Sequence, residues 1–253
     1  MSLGVVVSCE HGGNRVPARY RELFTGADRE LASHAGWDPG SARLARDLAR
    51  ACGTDLVVAT VSRLVVDLNR GPGHRRLFSR RTRDLPEEER ERILARYWEP
   101  HRAAVVRGIR AHGRRTVLHL SVHSFTPRWK GAVRAVDVGL LYDPARPGER
   151  VLVDRWLGAL GQLRPDLRLR RNYPYLGVSP GMTTDLRRRF AAGRYLGIEV
   201  EVNQALVAGA PARWRALRSA LVASLQAALA EYGRAPRSRR TGGGRLDASR
   251  HRG

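Results

Sequence analysis

Short apolar runs that break off in clusters of ionisable residues constrain this chain more than any other feature. Residues 3–8 (LGVVVS) read as a buried strand, and residues 116–122 (TVLHLSV) and 195–202 (YLGIEVEV) as two more. The last alternates, with one side apolar and the other carrying carboxylates. Amphipathic stretches separate the runs. Ser41–Ala51 brings Leu44, Leu48 and Ala51 to one helical face, and residues 87–112 follow Pro86 with three glutamates that suit a helix N-terminus. Residues 150–163, 185–192 and 211–232 read as further helices, while 55–61, 63–68 and 135–142 read as strands. Strands that alternate with helices in this way predict an α/β domain, a sheet covered by helices.

Composition narrows the function. At 253 residues the chain can bury a large core, and Cys9 and Cys52 lack the paired spacing of a zinc ribbon or a redox CxxC. That usage suits a reducing cytoplasm. The N-terminal apolar run is only four or five residues long and no basic region leads it, which predicts neither a signal peptide nor a membrane anchor. The net charge is +22, and Lys130 is the only lysine among 46 basic residues. A nucleic-acid binder concentrates such charge in a patch, whereas these arginines are spread through nearly every expected helix. A basic field of this kind also attracts small anionic substrates. Residues 1–232 are expected to form the domain, and residues 233–253, which carry no apolar repeat, a basic disordered tail.

Five segments place polar residues where strands end, and the carboxyl ends of strands are where α/β sheets bind ligands. In the first, a strand runs into Cys9, Glu10 and His11, then two glycines and Asn14. In the second, His119, Ser121 and His123 share one strand face, either as a hydrogen-bonded core pair of histidines or with His123 as a ligand beside His11. In the third, Asp67, Asn69 and Arg70 follow an apolar run that begins at Arg63. An arginine beside an asparagine suits a carboxylate, and an Arg–Asp pair fixing a loop is the other reading. In the fourth, Glu199 and Glu201 lie on one face; a buried pair of this kind needs a cation or a shared proton. In the fifth, Asp38 precedes the helix at Ser41, as its cap or as an oxygen donor to a metal.

Taken together, SCEHGGNRVP, HAGWDPG, SRLVVDLNRGPG, HLSVHSFTP, NYPYLG and GIEVEVNQ resemble the N-formylglutamate amidohydrolase family, in matching order across roughly residues 4–208. More distantly, LSVHSF and DLNR are similar to segments of zinc carboxypeptidases and aspartoacylases. The resemblance implies a single α/β domain with a mixed, mostly parallel central sheet. It also implies hydrolysis of the amide of N-formylglutamate or another small, anionic N-acyl amino acid, by a water activated on Zn2+ or another divalent metal. His11 and His123 match the metal histidines. The HxxE pattern of carboxypeptidases is broken, because Asn14 stands in place of its glutamate, so Asp38 becomes the first choice for the third ligand, with Glu10 and Asn14 as alternatives. Glu201 matches the general base, with Glu199 second. Arg63 would help hold the oxyanion, and Asn69 and Arg70 the α-carboxylate. Asp67, Asn14, Ser124, Asn172 and Tyr173 fall on the substrate side of the same motifs. The competing reading is a basic protein associated with polyanions or nucleic acid, its hydrolase pocket vestigial.

Overall fold

The computed structural model describes residues 3–234. In chain order the elements are β1 (Gly4–Cys9), α1 (Asp28–Ala32), α2 (Ser41–Ala51), β2 (Leu56–Val58), α3 (Glu87–Ile93), α4 (Glu99–Ala111) and β3 (Val117–Phe125). A hairpin of β4 (Arg128–Trp129) and β5 (Ala132–Val133) follows, then β6 (Val138–Leu141), α5 (Pro147–Leu163), β7 (Leu169–Arg171), α6 (Met182–Arg189), β8 (Tyr195–Asn203), α7 (Gln204–Ala208) and α8 (Pro211–Arg234).

The central sheet has the order β2-β1-β3-β8-β6-β7. Every pairing is parallel except β6 with β8, which is antiparallel, so the sheet is mixed and mostly parallel as expected. Every residue of β1, β3 and β8 is buried. Because side chains alternate, the three strands sort their residues between two layers. On one face Val5, Val7, Leu118, Leu120, Val122, Ile198 and Val200 join the core with α2, α5 and α8. Trp156 of α5 is fully buried there, and its indole N–H donates to Ser224 Oγ of α8 at 3.0 Å. On the other face Val6, Val117 and Tyr195 pack against Val105 and Ile109 of α4 and Met182 and Leu186 of α6. Towards the carboxyl ends this second face turns polar.

The helix expected over residues 87–112 forms, with a wider π-helical turn over Leu94–Trp98 joining α3 to α4. Pro100 gives the reason: it has no N–H for the Arg96 carbonyl and its ring crowds that group. Residues 63–68 are not a strand. Val65 N–H bonds Ser62 O and Asp67 N–H bonds Leu77 O, the pattern of a turn-rich connection. Its Val65 and Val66 are fully buried in a side cluster with Leu68, Leu77 and Ile93. The β-branched run reflects burial and not strand pairing. The strand expected over 55–61 shortens to Leu56–Val58 with an isolated bridge from Val61 to Arg15. α8 continues to Arg234, and the tail expected beyond it lies outside the described residues.

Gly139 of β6 faces Glu201 of β8 across the antiparallel pair, and the Tyr173 carbonyl closes over it. A Cβ at this position would overlap that carbonyl oxygen, so the backbone itself must move. Gly139→Ala is expected to cost about 3 kcal/mol, the upper end for overpacking a dense site, read as a lower urea midpoint at unchanged m-value.

Candidate active site

β1 and β3 run parallel, with Ser8 opposite Ser121. The chain leaves β1 through Glu10 and His11, and Gly12 and Gly13 let it pass against β2. Side chains there would press on Val58 and on the Ala59 and Thr60 carbonyls. His11 therefore arrives beside His123 at the end of β3, their rings 5.0 Å apart. Asp38 joins them from the loop before α2, where its backbone N–H donates to His11 O at 2.9 Å. Its carboxylate does not cap the helix, whose N-cap is Gly40. Asp38 Oδ2 instead lies 3.3 Å from His11 Nδ1 and 2.9 Å from His123 Nδ1.

Each imidazole is held from behind. His11 Nε2–H donates to Asp67 Oδ1 at 2.7 Å. His123 Nε2–H faces Ser121 Oγ at 2.9 Å and Glu10 Oε2 at 3.1 Å. Both rings thus turn Nδ1 towards Asp38. Arg63 bridges the two aspartates, from Nη1 to Asp38 Oδ1 at 3.3 Å and from Nη2 to Asp67 Oδ2 at 2.9 Å.

Five carboxylates, Glu10, Asp38, Asp67, Glu199 and Glu201, are buried here. Burial alone would raise the Asp38 carboxyl, but His11, His123 and Arg63 hold it well below the usual carboxylate range. Burial would lower His123, yet Asp38 and Glu10 on either side raise it well above an ordinary histidine. Glu201 is pushed up to about 8 by burial, reinforced by the charges of Asp38 and Glu199. The two glutamates of β8 differ in their partners. Glu199 Oε1 accepts from Thr183 Oγ1 of α6, whereas Glu201 Oε2 is buried with no hydrogen-bond partner.

This donor set fits a divalent cation. His11, Asp38 and His123 each offer a ligand atom, all within 4.8 Å of one another and all buried. Donors on a tetrahedral ion with bonds of about 2.0–2.1 Å stand roughly 3.3 Å apart, so the spacings to Asp38 Oδ2 need little adjustment. Glu201, with its Oε2 unpartnered, is paired with His123 across β3 and β8 and lines the same cavity.

Above this floor opens a cavity of about 940 Å³, whose wall carries seven arginines. Asn69 and Arg70 line it: Asn69 Oδ1 accepts the Met182 N–H, and Arg70 Nη1 donates to Pro180 O while its buried Nε makes no hydrogen bond and lies 3.8 Å from Asp67 Oδ2. Ser124 lines it as well, its hydroxyl donating to Pro39 O. Three residues expected here lie elsewhere. Asn14 is exposed and its amide donates to Leu31 O. Asn172 braces a loop, its Oδ1 accepting from the N–H groups of Tyr142 and Gly177. Tyr173 contributes its carbonyl over Gly139, and the cavity wall is taken by Tyr175 two residues on.

The family model for N-formylglutamate amidohydrolase matches residues 3–208. The chain belongs to this family. Among solved structures, the gene product Atu2144 of Agrobacterium tumefaciens is 30% identical, with a TM-score of 0.78 over 91% of this chain and 92% of that one. The N-formylglutamate amidohydrolase from Ralstonia eutropha JMP134 is 20% identical, with a TM-score of 0.63 over 92% and 95%. A metallo-carboxypeptidase from Burkholderia cenocepacia is 16% identical, with a TM-score of 0.43 over 92% and 58%. No curated protein matches the sequence. As an N-formylglutamate amidohydrolase family member the chain is a hydrolase of C–N bonds.

Sequence reasoning missed His101 and Thr183 in this amidohydrolase site. Both reach it from helices that cover the sheet, His101 at 3.4 Å from Glu10 Oε1, and no strand-end motif marks them. Among the described residues Arg63 is the one guanidinium that bonds both Asp38 and Asp67, so removing it leaves two buried carboxylates undercompensated. Arg63→Ala is expected to cost about 3–5 kcal/mol in the metal-free protein. Denaturant unfolding checks this, and an added divalent metal should restore part of the loss.

Proposed function

We propose that the protein is a metal-dependent amidohydrolase that cleaves N-formylglutamate or a related small N-acyl amino acid. The observation that carries this reading is the trio His11, Asp38 and His123 facing an unpartnered carboxylate, Glu201, at the floor of an arginine-walled cavity. Two imidazoles and a carboxylate are ligands that suit zinc. Bound there, the ion would polarise the acyl oxygen and make a water acidic enough to react near neutral pH.

The chain's own residues do the rest. Beside a bound cation Glu201 would favour its ionised form over the protonated one that burial favours; the carboxylate then accepts a proton from the water that attacks the acyl carbon, and returns it to the amine nitrogen as the C–N bond breaks. The products are the free acid, formate in the case of a formyl group, and the amino acid. Glu199 is tied to Thr183 and is less free to move a proton. Arg63 has both Nη atoms on Asp38 and Asp67, so its part is to fix those carboxylates and lend positive charge. Arg70 and the amide nitrogen of Asn69, which line the cavity, would hold the substrate's α-carboxylate.

The polyanion-binding alternative has less support: Arg19, Arg81 and Arg168 are tied to Glu89, Glu30 and Asp137, and the arginines that do gather line the cavity above the candidate site. No helix among the described residues is long and apolar enough to cross a membrane.

Steady-state kinetics on N-formylglutamate and a panel of N-acyl amino acids, with metal analysis, test the proposal. Glu201→Gln should lower kcat by about 10²–10⁴ and leave metal content unchanged. A comparable loss in Glu199→Gln alone would move the base to that residue. Arg70→Ala should raise KM with a smaller effect on kcat. His123→Ala should lose metal, and turnover that persists in the metal-stripped protein would overturn the mechanism.

A further inference from the structure

Glu10 is the most deeply enclosed carboxylate of the site, 1% exposed, and the mechanism above does not use it. Its position opposes a ligand role. Oε2 accepts from Ser121 Oγ at 2.6 Å and lies 3.1 Å from His123 Nε2, while Oε1 lies 3.4 Å from His101 Nε2 of α4. His123 turns its other nitrogen, Nδ1, to Asp38. Glu10 therefore sits behind the ring, on the side away from the candidate metal position.

We infer that Glu10 is a positioning residue, which acts with Ser121 and His101 to hold His123 so that Nδ1 points at the metal. The inference rests on the metal-site reading above. Three neighbours fix the carboxylate itself: a serine from β3, a histidine from a covering helix, and the imidazole it orients. A carboxylate held this way accepts the Nε2–H, which locks ring rotation and leaves the Nδ1 lone pair for a cation. The arrangement repeats at the other histidine, where Asp67 Oδ1 accepts His11 Nε2–H at 2.7 Å and is itself held by Arg63. The two imidazoles are thus braced from opposite sides by different devices: a cation-paired aspartate behind His11, and a glutamate with a serine and a histidine behind His123.

Serine also matters to the geometry. Ser121 is two residues before His123 on β3, so its hydroxyl is on the same strand face. It donates to Glu10 and can at the same time accept from His123 Nε2–H, which closes a three-membered contact. Loss of this hydroxyl should loosen the ring without removing the buried charge.

The test is zinc affinity, measured by competition with a chromophoric chelator, on the full chain and on Glu10→Gln and Ser121→Ala. Visible spectra of the cobalt-substituted forms count the ligands. Glu10→Gln is expected to bind zinc 10–100-fold more weakly, as loss of a carboxylate behind a ligating histidine does. At saturating metal it should keep the cobalt band of the wild-type chain. Ser121→Ala should shift affinity in the same direction by a smaller factor, and serves if Glu10→Gln fails to fold. Affinity within twofold of wild type in both variants would overturn the inference. A cobalt spectrum in Glu10→Gln that has lost a ligand would overturn it differently, by making Glu10 a ligand. If the wild-type chain binds no divalent metal, the metal-site reading fails first and takes this inference with it, whereas the affinity comparison alone leaves that reading intact.

Discussion

The site depends on the register of three parallel strands. Ser8 stands opposite Ser121, Ser121 opposite Glu199, and His123 opposite Glu201, so the polar residues of β1, β3 and β8 fall on one face at one end. A slip of one residue in any pairing would carry the polar set of that strand into the layer with α2, α5 and α8. That layer is predominantly apolar and therefore enforces the register. Stability and chemistry are divided between the two faces of one sheet: a dry face that fixes the alignment, and a face whose polar end uses it.

Charge burial sets the second constraint. Each of the five carboxylates of the floor loses its hydration, and a buried ion is tolerated only with partners that replace the water. Glu10 finds two histidines and a serine, Asp67 finds His11 and Arg63, and Glu199 finds Thr183. Asp38 is shared among His11, His123 and Arg63. Of the five, Glu201 alone keeps a buried oxygen without a hydrogen-bond partner, which suits the role of base proposed for it. The difference between the two glutamates of β8 is therefore one of neighbours and not of position on the strand.

Much of this was legible in the sequence, and the parts that were not share a cause. Alternation in GIEVEVNQ placed Glu199 and Glu201 on one face, and the strand-end positions of His11 and His123 brought them together. Alternation could not say which glutamate is free, because Thr183 arrives from α6. His101 is equally silent in the sequence, since it meets Glu10 only when α4 covers the sheet. Of the two readings of the segment around Asp67, the Arg–Asp pair that fixes a loop is present, made by Arg63, and it also braces His11, which the sequence did not suggest. The run at 63–68 misled because β-branched residues report burial as readily as strand pairing. The short elements α1, α7 and β7 offered too few residues for any period to show.

The cavity also separates charge by depth. Four acidic residues of its lining, Asp38, Asp67, Glu199 and Glu201, belong to the floor, with Arg63 bridging the two aspartates, while the other six arginines and a single further carboxylate, Glu30, make up the rest of its charged wall. Arginine walls draw an anionic substrate inward, yet an anion that reaches the floor meets carboxylates that repel it. On the proposed function, a divalent cation between His11, Asp38 and His123 would offset the floor's negative charge where the acyl group rests. Cation and anionic substrate would then be linked ligands of one site, each improving the binding of the other by the same factor. The arginine-rich composition, which says little about function when taken over the whole chain, has a consequence here under the proposed function: the walls would suit an anionic substrate, and the floor would depend on the ion.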